Sequence, residues 1–173
     1  MAITAADIVF RLSGGAANTD PAAALGGDMS TAGGGVITKT TTPNSLFDDV
    51  PSAESAAGDT EYRSFYVYNA HATLTYQNAK IKIDTQTPSG DTIVGIGAEA
   101  AEGITGGQSV VNENTAPSAP VITFEETADA WVTLGDIGPE SGWQIWVRRV
   151  ISASAAAADD DGTTFAVTGD TTA

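Results

Sequence analysis

The sequence predicts an all-β protein: an antiparallel β-sandwich carrying a long extended N-terminal arm. Three observations lead there. Ile and Val number 24 against 5 Leu, and a branched Cβ stiffens χ1 and suits a pleated surface. The 23 Thr and 19 Gly add strand and turn character. Turn signals recur about every ten residues through the second two-thirds of the chain, the spacing of a sandwich.

Along the chain, the first strand is expected at Ile8 to Leu12, with Ile8, Phe10 and Leu12 on one face. From Gly14 to about Asp59 the periodicity dissolves into three glycine clusters, a Thr run at Thr38 to Thr42 and three prolines. A stretch that long without pattern is uncommon as an ordinary loop. We read it as an arm, mobile in the free chain, that orders against neighbouring subunits. Its anchors would be the apolar residues Leu46, Phe47 and Val50. The expected division is therefore 1–60, first strand plus arm, and 61–173, the sandwich.

Further strands are expected at Tyr62 to Asn69, with Phe65 and Val67 facing opposite to Tyr66 and Tyr68, and at Ala79 to Thr85, where Ile81 and Ile83 alternate with Lys80, Lys82 and Asp84. Thr92 to Ile96, Val121 to Phe124, Trp131 to Leu134, Trp143 to Ile151 and Thr164 to Thr168 complete the set. Pro88 to Asp91, Gly135-Asp136, Gly138-Pro139, Ser141-Gly142 and Asp160 to Gly162 carry turn chemistry between them. No segment has a helical period with caps; Ala153 to Ala158 has room for a turn or two.

Charge narrows the partners. Seven basic residues face 22 acidic ones, for a net −15, which repels nucleic acid and anionic lipid at long range. No stretch approaches the ~20 apolar residues of a membrane-spanning helix. Met1 to Asp7 lacks a basic segment and a long apolar run, so no signal peptide is expected. Without cysteine there are no disulfides, thiol nucleophiles or zinc-thiolate sites.

Catalytic groupings are equally thin. His71 is the one histidine and lies in a polar end-of-strand segment, where it has no second His or Cys to build a metal cluster or a nucleophile pair. Asp48-Asp49 and Glu125-Glu126 are adjacent residues, which on a strand point to opposite faces. Gly33 to Gly35 is not followed by the Gly-Lys-Ser/Thr of a phosphate loop. Asp159, Asp160 and Asp161 form a dense carboxylate turn that lacks the spaced ligand pattern of a calcium loop; a solvated acidic turn is the favoured reading over a calcium site. No cofactor and no enzymatic activity are expected. Trp143 and Trp146 stand on opposite faces of one strand, as do Arg148 and Arg149. One of each pair is therefore available to a partner, and Trp146 and Arg148 join the arm residues as interface candidates.

These residues also carry a resemblance. Asp7 to Ala16, Asn18 to Pro21, Leu25 to Gly27, Gly58 to Arg63, Leu134 to Ile137, Ile145 to Arg149 and Gly169 to Thr171 resemble a family of virion structural proteins of tailed bacteriophages. Small proteins of this kind are often capsid decoration, or cement, proteins. The second half also resembles immunoglobulin-like β-sandwich modules, in which a corner such as Gly135-Asp136-Ile137 precedes a Trp-containing strand, and a jelly roll is the alternative. The phage resemblance implies a particle component made in the host cytoplasm, sitting on the outer capsid surface and touching the major capsid protein and copies of itself as a homo-oligomer. A tail, neck or fibre component, or a carbohydrate-binding adhesive module using Trp143 or Trp146, are the competing expectations.

Overall fold

The computed structural model describes residues 2–38, 44–158 and 161–171. Its architecture is almost all β, with two antiparallel sheets of five and three strands and one short helix. The strands are Ile8–Leu12 (β1), Val36–Ile37 (β2), Asp59–Asn69 (β3), Tyr76–Thr85 (β4), Thr92–Ala98 (β5), Trp131–Ile137 (β6), Ser141–Ile151 (β7) and Thr164–Thr171 (β8). One sheet runs β2-β1-β3-β7-β5 and the other β6-β4-β8. From β3 to β8 successive strands alternate between the sheets, so each connection crosses the sandwich instead of closing a hairpin.

The pairing of β3 with β7 is the longest, and its register sets the rest. Phe65 lies opposite Ile145 and Arg63 opposite Val147. Opposed residues share a face, so these side chains point together into the space between the sheets. There Phe65, Val67, Ile145 and Val147, with Ile8, Val94 and Ile96, meet Ile81, Ile83, Leu134, Ile137 and Ala79 of the smaller sheet. Each large apolar side chain buried in this way stabilises the fold by about 1.5–3 kcal/mol.

The other face of the five-stranded sheet is covered as well. Ser64 and Tyr66 of β3 and Gln144 and Trp146 of β7 point there and are fully buried. Their cover consists of irregular chain from two places, Ser13 to Gly35 and Glu99 to Glu126. The two stretches bond to each other: Gly27 N–H donates to Gln108 O (2.8 Å), Val110 N–H to Leu25 O (2.9 Å) and Met29 N–H to Ile104 O (2.8 Å). They also bond to the sheet, through Ser64 N–H to Ala24 O (2.8 Å), Tyr66 O–H to Gly27 O (2.6 Å) and Gln144 Nε2 to Gln108 O (3.1 Å).

This layer overturns the detached arm. The described part of residues 14–59 lies against its own domain, with Ala24, Met29 and Ser30 buried. Nor does a boundary fall at residue 60, since β1 pairs with β3 over five residues. The physical reason is that a strand pair with large side chains on both faces needs two covers, and this segment is one of them. Periodicity could not announce it, because a glycine-rich cover bonds through its backbone.

Three smaller expectations change too. Val121 to Phe124 forms no strand; only the single pairs Ile96 with Glu125 and Ser118 with Val121 form there. Gly135-Asp136 does not end a strand but lies within β6, where Gly135 takes φ +108° beside a register shift in the β4 pairing. Helix appears not at Ala153 to Ala158 but at Ser52–Ala57 (α1), closed by Gly58 at φ +76°.

Gly26 shows how tightly the cover is fitted. It sits at φ +90°, and a Cβ there would overlap the Gln108 carbonyl and come within 2.8 Å of the Trp146 ring. Gly26→Ala should therefore destabilise the chain by at least about 2 kcal/mol, from backbone strain and overpacking together. The shift in urea midpoint measures it, and an unchanged midpoint would mean that the cover is loose.

Candidate functional site

The densest chemistry among the described residues lies where β3 and β7 end. Their register sets Glu61 opposite Arg149, and Arg63 shares that face two residues further on. The parity that sends Phe65 and Val67 inward sends these three inward as well. Glu61 and Arg63 are each at most 2% exposed. Arg149 donates from Nε to the Glu61 carboxylate and from Nη1 to Asp48 O (2.7 Å). Arg63 pairs with the Glu113 carboxylate, and the Asp48 carboxylate stands 4.0 Å from Arg63 and 3.7 Å from Arg149. The Phe47 ring lies under both guanidiniums, 4.7 Å from Arg149 and 5.8 Å from Arg63.

One oxygen from each of Asp48, Glu61 and Glu113 lies within 4.8 Å of the others, close enough to share a cation. The donor set does not fit one. Two guanidiniums already occupy these carboxylates, and a divalent ion would have to displace them. The cluster instead fastens the segment around Phe47 and Asp48 to the end of the five-stranded sheet. Sequence reading missed Glu61 and Arg63; the signal was available, as charged residues on the inward parity of a strand.

The expected interface residues are mostly used inside the molecule. Leu46 and Phe47 pack against the core and Val50 is half-buried. Trp146 is 0% exposed, so it is not an interface residue of the folded chain. The two-sided sheet buries both faces of β7, and the Trp146 indole N–H donates to the Glu99 carboxylate (3.0 Å). Trp143 is half-buried, and its indole N–H donates to Glu99 O (2.8 Å). Arg148 pairs with Glu126 and lies 4.9 Å over the Phe124 ring. Both arginines of the pair thus meet a carboxylate, on opposite faces of the strand. Asp159 and Asp160 lie outside the described residues; Asp161 accepts from Ser89 N–H (2.8 Å). His71 Nδ1 accepts from the Thr73 and Leu74 N–H groups and serves a turn.

What faces outward instead is apolar and scattered. Val111 is 86% and Val121 78% exposed, both on the cover between β5 and β6, and Trp131 and Ile93 are more than a third exposed. A polar cleft of about 270 Å³ opens beside Tyr66 and Gln144, walled by Glu99, Glu102, Thr105 and Gln108 among others. Its floor is satisfied: Gln144 Nε2 donates to Ser64 Oγ (2.9 Å) and Tyr66 to Gly27 O. No family model, no curated protein and no solved structure matches the chain.

Two perturbed groups report on packing. Burial, then the nearby carboxylates of Asp28 and Glu99, pushes the Tyr66 phenol well above its ordinary value, and burial followed by Asp170 raises Tyr76. An unfolded tyrosine ionises near pH 10, while these two hold their protons longer. The stability they contribute is full below about pH 10 and is lost as pH rises through the folded values. The urea midpoint should thus fall above about pH 10, and Tyr66→Phe should make that fall shallower. An alkaline limb unchanged in Tyr66→Phe would disprove the assignment to Tyr66.

The ionic cluster gives a second prediction. Glu61→Ala strands a buried guanidinium and should destabilise by about 3–5 kcal/mol. Phe47→Ala should remove about 1–3 kcal/mol of packing from the isolated chain. Both are read from chemical denaturation of the purified protein.

Proposed function

We propose that the chain is a structural protein of a tailed-phage particle, a capsid decoration protein that braces the outer capsid surface and performs no catalysis. Its work is protein–protein contact, with the major capsid protein and with copies of itself. The observation that carries this reading is how the polar groups are spent. All four arginines are engaged within the chain: Arg11 on the Ser30 and Ala32 carbonyls, and Arg63, Arg148 and Arg149 on carboxylates. The buried Ser13, Ser64, Asn69 and Gln144 side chains likewise bond within the chain. Val111 and Val121 are the two most exposed large apolar side chains among the described residues, as side chains that wait for an apolar socket are. A net charge of −15 suits the outer face of a shell, where packaged nucleic acid does not repel it.

The test is location in a particle. Antibody against the chain should label the capsid faces of intact phage; labelling confined to the tail would assign it to the tail, and no labelling would reject the proposal. Val111→Asp with Val121→Asp should leave the fold within about 0.5 kcal/mol of its original stability, as exposed positions do. The pair should still release the protein from particles, measured as the fraction that cosediments with them.

A further inference from the structure

A two-sheet sandwich has four lateral edges, and an unpaired edge strand presents a row of free N–H and C=O groups to any other strand. Three of the four edges here are blunted. At the β5 edge, Ile96 exchanges both backbone bonds with Glu125 (N–H to O at 2.9 and 2.8 Å), and Gly97 is overlaid by Ile122 and Thr123. The β2 edge is two residues long. The β6 edge is broken by Gly135 at φ +108°, and its Asp136 carboxylate is turned to Asn78 N–H (2.9 Å).

The β8 edge has none of these devices. It runs eight residues, Thr-Phe-Ala-Val-Thr-Gly-Asp-Thr, with no proline, lysine or arginine. No residue in it takes a positive φ, and the irregularities in its pairing fall on extra residues of β4. Among the described residues its backbone bonds to β4 alone. Phe165 and Val167, which point into the core, are left half-buried, with no described strand flanking them on the outer side.

We propose that β8 pairs antiparallel with β8 of a second copy of this chain, about a two-fold axis near Ala166 to Thr168. Charge selects this occupant. In a molecule of net −15, two copies can approach only where carboxylates do not oppose each other, and residues 164–169 carry no charge. Antiparallel pairing sends the two Asp170 side chains to opposite ends of the junction. On the outer face Lys80 stands one strand behind, opposite Thr168, and offsets part of the negative field there. The added strand also covers Phe165 and Val167. This deepens the structural-protein reading by naming the surface through which copies meet.

The test uses purified chain, so its result does not depend on where the protein sits in a particle. Sedimentation velocity should show a concentration-dependent dimer. Ala166→Lys with Thr168→Lys sets like charges opposite each other across the axis and should raise the dissociation constant at least about tenfold, with the urea midpoint unchanged. Ala166→Glu with Thr168→Glu should do the same, and mixing the lysine and glutamate proteins should restore the dimer. Monomeric wild-type protein at millimolar concentration would overturn the proposal, as would lysine variants that dimerise like wild type. Monomeric wild type whose lysine variants lose particle attachment would overturn it too, and would assign the edge to a strand of another protein.

Discussion

The antiparallel register between β3 and β7 is the constraint on which the remaining structure depends. Eleven residue pairs, from Asp59 with Ile151 to Asn69 with Ser141, fix which side chains face which way. On one side they send Phe65, Val67, Ile145 and Val147 into the core; on the other, Ser64, Tyr66, Gln144 and Trp146 toward the cover. A slip of one residue would exchange the two sets. Neither would then fit, because one face meets the aliphatic side chains of the smaller sheet and the other meets backbone carbonyls of the cover.

The two faces are closed by different physics. The inter-sheet face is closed by dispersion and the hydrophobic effect, which tolerate imprecise partners of the right volume. The cover must be specific, since Tyr66, Gln144 and Trp146 each carry a polar group that is costly to bury unpaired. Gly27 O, Gln108 O and Glu99 Oε1 are placed to receive those groups. Glycine-rich chain suits this task because it lets backbone approach the rings closely, as Gly26 does at Trp146. The ionic cluster at the end of the sheet follows the same logic. Removing one partner would strand another, so the network holds its segment in one register more than it adds to stability.

The carboxylates that do not pair inward give the molecule its charge, while the exposed Val111 and Val121 and residues 164–169 of β8 carry none of it. These are the surfaces that the proposed structural role would use.

Local sequence determined the strands. The alternation of Ile81 and Ile83 with Lys80 and Lys82, the aromatic run of β3 and the β-branched residues of β5 and β7 place seven of the eight strands within a few residues, because a pleated strand displays its burial at period two. It also determined that Arg148 and Arg149 lie on opposite faces and that Trp143 and Trp146 do. Which face meets water was decided only by tertiary structure. Trp146 carries the same local signal whether it faces a partner or its own chain, and it became interior because Gly26 and Glu99, distant in sequence, lie against it. The segment taken for an arm was misread for the same reason. Its bonds run from backbone to backbone over long separations, and no periodicity of side chains records them.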